Sequence, residues 1–290
     1  MNDTLTYVYC LVLSSRRPIV SRRLTMRGVP GARDTRAVAA GDGLWLIVAS
    51  VSARDYGEEA ITRGLQDLQW VGQRAMAHEA VVEQFLSARA VLPMQLFTLF
   101  NSDERAIHHV DRQRREIRAV LKRIEGRLEF GLRLTFDEQA LRDAITARAA
   151  GEAANATRVP GPTTPQAGTA YLARKRDLLD VQRVQLKEAR VEADRLFAAL
   201  TRDVDDARRR TATEQAAPGS RLLLDAAFLV SSTRAQSFRA TVGRQARKIA
   251  AAGVVVSLTG PWPPYNFISP AARPAPSVGS AQSSRGKSAH

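Results

Sequence analysis

The first half of the chain alternates between apolar runs and turn signals. Leu5–Leu13 and Leu44–Val51 are apolar and rich in β-branched or aromatic residues, which is typical of buried strands. Between them, Gly28-Val29-Pro30-Gly31 and Gly41-Asp42-Gly43 indicate tight turns, the first of them inside a basic loop. The chain is therefore predicted to begin with two strands joined by a long loop.

A helix is predicted next, over about Asp67 to Ser87, because apolar residues recur there at steps of three and four. The predicted core-facing stripe consists of Leu68, Val71, Ala75, His78, Val82 and Phe85. A strand over Val91–Phe100 and a helix from about Asn101 to Glu125 follow. Gly126 is a natural end for that helix.

The second half begins with strict alternation over Leu128–Phe136, which predicts a half-buried strand, followed by a short helix to about Ala150. Residues 151–168 are rich in Gly, Ala, Pro and Thr and predict a flexible insertion. The last predicted elements are a long helix, a strand, a helix and a strand, at about Thr169–Arg209, Arg221–Val230, Ala235–Ala251 and Gly253–Thr259.

The long helix allows two interpretations, because residues spaced by seven run along it. These residues are Leu172, Leu179, Leu186, Ala193 and Leu200. They fit either a coiled-coil seam or a helix that lies across a sheet. The alternate seam positions hold Lys175, Gln182 and Ala189, which favours packing on a sheet.

If the first strand is set aside, each half therefore reads roughly as strand, helix, strand, helix, which predicts an α+β fold with two domains. Each domain is expected to hold a mixed or antiparallel sheet with helices packed on one face, and ferredoxin-like units are the specific prediction. The N-terminal domain is predicted over residues 1–125. The C-terminal domain is predicted over 126–268, including the long helix and the insertion. Residues 269–290 are predicted to form a disordered basic tail.

Composition narrows the protein class. The hydrophobic fraction of 44% is ordinary for a globular chain, and no run of about 18 apolar residues predicts a membrane span. The first ten residues lack a basic region followed by an apolar one, so no secretory signal is expected. Cys10 is the only cysteine, so internal disulfides cannot form. A cytoplasmic location fits these features best.

The net charge of +14 requires an explanation of its own. It is compatible with nucleic acid, an anionic surface or an acidic partner, and also with a genome that favours arginine codons. The basic stretches do not interleave aromatic residues for base stacking. This absence argues against nucleic acid as a partner, and a basic nucleic-acid-binding protein is kept only as the alternative function.

Motifs for catalysis or cofactor binding fail on spacing. His78-Glu79 begins like a zinc-protease helix, but position 82 is Val rather than the second His that such a site needs. Gly41-Asp42-Gly43 precedes a strand instead of following one, unlike a dinucleotide fingerprint. Gly286-Lys287-Ser288 lacks the earlier glycine of a phosphate-binding loop. The sequence predicts no enzyme, no cofactor and no metal site.

Several stretches, taken in order, are those of a known family. They are Thr6-Tyr7-Val8-Tyr9, Leu65-Gln66-Asp67-Leu68-Gln69-Trp70-Val71, Ala77-His78-Glu79-Ala80, Val91-Leu92-Pro93-Met94, Gly168-Thr169-Ala170-Tyr171-Leu172 and Gly260-Pro261-Trp262-Pro263-Pro264-Tyr265-Asn266-Phe267. With them, the chain resembles the GvpL/GvpF family of gas vesicle proteins over about residues 5–268. Gln95 and Thr98 depart from the family pattern, in which Arg and Gly are frequent at these positions.

The resemblance implies a gas vesicle accessory or minor structural protein without catalysis, cofactor or metal. Its implied partners are the small hydrophobic shell protein and other gas vesicle accessory proteins, in the cytoplasm and in association with gas vesicles. It leaves open whether the protein stays in the mature vesicle or acts only during assembly.

Aromatic residues near the predicted end of the second domain are the candidate partner contacts. They are Trp262, Tyr265 and Phe267, in a proline-rich segment that cannot continue a sheet. An alternative interpretation is that these rings close the core of the second domain. Trp70 is added because it lies one step off the predicted apolar stripe, where it faces either a neighbouring helix or a partner.

Overall fold

The computed structural model describes residues 3–20, 28–139, 143, 166–210, 219–250 and 253–268, without the side chains of residues 166–175, 177 and 178. The chain divides into two compact units. The first unit runs to Leu128 and takes up the chain again from Trp262. The second unit is Glu129–Pro261.

The first unit is built on an antiparallel sheet. Its strands are β1 (Thr4–Leu13), β2 (Arg33–Ala39), β3 (Leu44–Ser52), β4 (Ala90–Pro93) and β5 (Leu99–Phe100). The strand order is β2-β3-β1-β4, with β5 paired to β1. β1 is the central strand, and Leu11 pairs with Leu46 on one side and Leu92 on the other. The pattern of apolar residues in the sequence therefore predicted β1 and β3 correctly.

Helices cover both faces of this sheet. They are α1 (Ala53–Tyr56), α2 (Glu58–Gly64), α3 (Leu68–Val82), α4 (Asp103–Arg112) and α5 (Arg114–Ile124). α4 and α5 pack against one face in a cluster that includes Val8 and Leu46. α3 packs against the other face, where Tyr7 and Tyr9 lie. This differs from the predicted arrangement, in which helices cover a single face.

The second unit has the order of elements βαββαβ. Its elements are β6 (Arg127–Asp137), α6 (Gln166–Thr201), β7 (Asp206–Arg209), β8 (Ser220–Ser231), α7 (Ala235–Ile249) and β9 (Val254–Trp262). The sheet order is β7-β8-β6-β9, which is that of a ferredoxin-like unit. The strands of the first unit follow the same order. In the first unit the connection between the first two strands is residues 14–32, and in the second unit the corresponding connection contains α6. The predicted α+β class with ferredoxin-like units is confirmed.

α6 lies on the sheet of the second unit through its C-terminal half. Its buried residues follow steps of four and three, at Ala189, Ala193, Leu196 and Leu200. Phe197 on the same helix contacts Phe228 of β8, with ring centroids 5.6 Å apart. This supports the interpretation of the leucine spacing as a helix packed on a sheet.

Three predicted elements differ from the structure. The single strand predicted over 91–100 is interrupted between β4 and β5, where Phe97 has φ +64°. The helix predicted over 101–125 is two helices that meet at Gln113. The long helix ends at Thr201 rather than Arg209, because Asp206–Arg209 pairs with β8 as strand β7.

Some predictions lie outside the described residues. These are most of the short helix predicted after Phe136, residues 151–165 of the insertion predicted over 151–168, and the tail after Ile268. Residues 166–168, predicted to belong to the insertion, are the start of α6. None of the helices that the structure describes combines the length and the apolar character needed to cross a bilayer.

Candidate functional site

The end of the described chain, Trp262–Ile268, is here named the closing segment, and it belongs to the first unit. The predicted domain boundaries place this segment in the second domain instead. Phe267 is fully buried, and Ile268 joins the cluster formed by α4 and α5. The Arg123 guanidinium of α5 donates to the Phe267 carbonyl at 2.5 Å. Phe267, predicted as a partner contact, is therefore a core residue of the first unit.

Tyr265 closes one side of a cleft beside α3. Its hydroxyl donates a hydrogen bond to the Glu79 carboxylate. The cleft has a volume of about 260 Å³ and is lined by Ala75, His78, Glu79, Met94, Gln95, Leu96 and Tyr265. Of the predicted contacts, Tyr265 is thus placed at a concave surface next to the His-Glu pair of α3.

His78 forms the floor of this cleft and is only 4% exposed. The Tyr7 hydroxyl lies 2.8 Å from its Nδ1, and the Tyr7 oxygen also accepts from the Phe97 amide at 3.5 Å. The Tyr7 hydrogen is then donated to Nδ1, and we assign the imidazole proton to Nε2. Within the part of the chain that the structure describes, no hydrogen bond of normal geometry reaches Nε2.

Burial keeps His78 uncharged at neutral pH. Desolvation lowers the pKa of His78 to about 4, and the nearby Met94 carbonyl opposes this shift only in part. The imidazole therefore stays neutral beside the cleft. Burial likewise raises the pKa of Tyr7, so the phenol keeps its hydrogen.

The same aromatic cluster holds the Gly28–Gly31 turn. The Tyr9 hydroxyl accepts from the Val29 amide at 3.1 Å, and the Tyr56 hydroxyl donates to the Pro30 carbonyl at 2.6 Å. A Cβ on Gly28 would lie 2.7 Å from the Tyr9 oxygen, so only glycine allows this close approach. The turn is therefore joined by hydrogen bonds to the tyrosines that pack near His78.

Trp70 packs inside the first unit over much of its ring. It stacks on Phe97 with centroids 5.3 Å apart, and the Arg74 guanidinium lies 3.7 Å from its centroid. A Cβ on Gly64 would lie 2.6 Å from the same ring. Trp262, by contrast, is 36% exposed. Tyr265 lies at the cleft, whereas Trp70 and Phe267 mainly pack inside the first unit.

An exposed apolar surface runs along α3 towards the cleft. We name it the α3 strip; it consists of Leu65, Leu68, Gly72, Ala75 and Met76. Leu68 is 88% exposed and Met76 is 68% exposed. The predicted core stripe is therefore wrong at Leu68 and Ala75, which are exposed, and right at His78 and Val82, which the helix buries together with Val81. The buried residues of α3 lie in its C-terminal part.

Glu79, Met76 and Gln95 were missed as site residues by sequence reasoning. A signal for the strip was present, because Leu68, Gly72, Ala75 and Glu79 recur at steps of four, three and four. Apolar spacing alone does not separate a buried face from an exposed one.

A model of the family described as "Gas vesicle synthesis protein GvpL/GvpF" matches residues 5–269. The chain belongs to the GvpL/GvpF family. It is 29% identical over 241 residues to "Gas vesicle protein L" of Streptomyces sp. (strain CB03234), covering 82% of this chain and 84% of the relative. The resemblance drawn from the motifs is confirmed.

Two solved structures of GvpF proteins have the same fold. The GvpF of Anabaena sp. PCC7120 gives a TM-score of 0.59 at 14% identity, covering 92% of this chain and 98% of that one. The GvpF of Microcystis aeruginosa gives 0.57 at 12% identity, with 91% and 99% covered. This GvpL/GvpF member therefore shares the two-sheet α+β architecture of both GvpF proteins.

Proposed function

We propose that this GvpL/GvpF protein is an accessory protein that binds the small hydrophobic shell protein and assists gas vesicle assembly. The observation that carries the proposal is the α3 strip, where Leu68 and Met76 are largely exposed beside the cleft closed by Tyr265. Exposed apolar patches bordered by polar groups are typical of protein-binding surfaces.

Such an activity has a direct physical use. Subunits of a hydrophobic shell expose apolar surface and strand edges before they assemble, and both promote aggregation. A partner that covers these surfaces keeps subunits competent for assembly. The proposed site of action is the cytoplasm, on growing gas vesicles, together with other accessory proteins.

The proposal is for a binding role rather than a catalytic one. Among the described residues that line the cleft, His78 is hydrogen-bonded to Tyr7, and Glu79 is hydrogen-bonded to Tyr265. The low pKa of His78 also makes it a poor proton acceptor at neutral pH. These properties suit recognition by hydrogen bonding.

The test is a deletion of this gene in a strain that carries no other GvpL/GvpF gene in its gas vesicle cluster. We expect the cells to lose gas vesicles in electron micrographs, and the intact gene to restore them. Normal vesicles in the deletion strain would contradict the proposal. Restoration by a Met76→Glu variant at wild-type level would argue against a role for the α3 strip.

A further inference from the structure

We propose that β9 pairs along its outer edge with β9 of a second copy of this chain, so that the sheets of two second units become one continuous antiparallel sheet. β9 is an end strand in the sheet order β7-β8-β6-β9, and β6 is its neighbour among the described strands. The proposal concerns self-association and does not depend on binding of the shell protein.

β9 differs from the other end strands of the two sheets in its length and its lack of charge. In the first unit, β2 carries Arg33, Asp34 and Arg36 with an irregular register, and β4 has only four residues and ends at Pro93. In the second unit, β7 has four residues, most of them charged. β9 has nine residues without a charged side chain, and its proline comes only after Gly260. Charge, shortness, proline and bulges prevent pairing at sheet edges, so β9 is the strand best suited to pair with another chain.

Contacts with β6 show which backbone groups of β9 point outwards. The Gly253 carbonyl accepts from the Asp137 amide at 3.3 Å, and the Thr259 hydroxyl donates to the Gly131 carbonyl at 3.4 Å. The two contacts are equally far apart on both strands, so the register between them is continuous. Odd-numbered residues of β9 therefore bond to β6, whereas the N–H and C=O groups of even-numbered residues point away from it.

The outer edge of β9 is covered at one end by α7. The Arg239 guanidinium donates to the Gly260 carbonyl, which agrees with the outward direction of even-numbered residues. The outward backbone groups of Val254, Val256 and Leu258 make no backbone hydrogen bond outside the sheet within the described ranges. Such a row of backbone donors and acceptors is a template for a further strand.

The residue pattern of β9 is complementary to its own two-fold copy. Ser257 is the middle residue of the stretch from Val254 to Gly260. If two copies pair antiparallel about Ser257, even-numbered residues face even-numbered residues, and Val256 bonds with Leu258 of the partner subunit. Val256 and Leu258 are only partly buried in the single chain, so this pairing covers them further.

Exposure and charge favour a second copy over other occupants. Val255, Ser257 and Thr259 share one face of the strand and are exposed, Val255 by 54%. A strand without charge does not attract nucleic acid or an acidic protein. It also places no charge opposite its own copy, which is the condition that self-pairing requires. A strand of another protein would leave the purified chain monomeric, and this is an outcome of the test.

The experiment measures the mass of the purified full-length protein in a dilution series, by light scattering during size-exclusion chromatography. Ser257→Lys and Ser257→Asp each place a charge opposite its own copy at the centre of the proposed pairing. The Ser257 side chain is exposed, so both variants should fold normally. Ser87→Lys makes the same change at an exposed residue of the first unit and is the matched control.

We expect the wild type to dimerise, with a dissociation constant raised several-fold or more in each Ser257 variant, because like charges directly opposite each other destabilise strand pairing. Ser87→Lys should dimerise like the wild type. An equimolar mixture of Ser257→Lys and Ser257→Asp should recover the dimer, since the facing charges are then opposite. Recovery requires that residue 257 of one copy meets residue 257 of the other.

A wild type that stays monomeric at the highest concentration would overturn the proposal, as would a dimer that neither Ser257 variant weakens. Weakened dimers in both variants without recovery in their mixture would overturn pairing about Ser257. Thermal melting of each variant separates loss of the dimer from loss of folding. These outcomes are independent of shell-protein capture, which tests the proposed function.

Discussion

The Tyr7 hydroxyl lies 2.8 Å from Nδ1 of His78, and this contact joins the central strand β1 to α3. Both side chains are buried, and their rings meet edge to face at 5.7 Å. The contact fixes the orientation of the imidazole. The aromatic core of the first unit therefore positions a residue that lines its surface cleft.

Replacing Tyr7 with Phe should destabilise the protein while preserving ring packing. The variant leaves Nδ1 of His78 buried without a donor, which costs about 1–3 kcal/mol of unfolding free energy. Urea unfolding monitored by circular dichroism measures the change. A Tyr265→Phe variant, which breaks a less buried hydrogen bond, should lose less. Equal losses of unfolding free energy in the two variants would contradict a larger stabilising effect of the buried hydrogen bond between Tyr7 and His78.

Acid should destabilise the native state through His78. Its pKa is about 4 in the folded protein, below the value near 6.5 expected for the unfolded chain. Between these values the unfolded state binds more protons, so the stability from this group is complete above pH 6.5 and declines as the pH falls towards 4. The expected loss is on the order of 3 kcal/mol, since each pH unit corresponds to about 1.4 kcal/mol.

Comparison of unfolding at pH 5 and pH 7.5 tests this dependence. The His78→Asn variant cannot titrate in this range at position 78, so its stability should change less between the two pH values than that of the wild type. Identical changes in the two proteins would assign the acid sensitivity to other groups.

The second unit should depend on Asp225, which is buried on β8. Its carboxylate accepts from Arg133 at 3.2 Å and from Nε of Arg210 at 2.8 Å. Asp225→Ala should lower the unfolding free energy by about 2–4 kcal/mol, because it removes the buried carboxylate that accepts from both arginines. Asp180→Ala, which breaks an exposed pair with Arg183, should change stability by less than about 0.5 kcal/mol. Similar losses in both variants would contradict this ranking.

The closing segment should stabilise the first unit mainly through Phe267. Phe267→Ala removes a fully buried ring and should cost about 3–5 kcal/mol. Trp262→Ala removes a ring that is 36% exposed and should cost about 1 kcal/mol or less. Chemical denaturation of the two variants gives both values. A larger loss for Trp262 than for Phe267 would contradict the packing described for this segment.

The sequence predicted those elements whose burial pattern is regular. β6 alternates apolar and polar residues, and β1, β3 and β8 are apolar through their central residues, so their positions followed from pattern alone. β2 was missed because it is a polar edge strand. Its Arg36 forms an ion pair with Asp103 of α4 at 2.6 Å, a contact between distant parts of the chain that no local pattern contains.

The candidate site was predictable only in part. The motif containing Tyr265 and the His-Glu pair of α3 was identified, but their meeting requires the chain to return to the first unit after Pro261. Leu68 was predicted to be buried and is exposed, because the spacing of apolar residues does not reveal where a neighbouring sheet ends. Tertiary packing therefore decides which of the aromatic candidates faces solvent.

Capture of the shell protein by the purified full-length protein tests the central claim most directly. The pull-down is performed at low and at moderate salt with nuclease-treated components. We expect specific capture that persists at moderate salt, because apolar contacts are not screened by ions, and that falls sharply in Met76→Glu, which places a charge in the α3 strip. No capture of the shell protein under either condition, or retention of nucleic acid alone in an untreated sample, would contradict it.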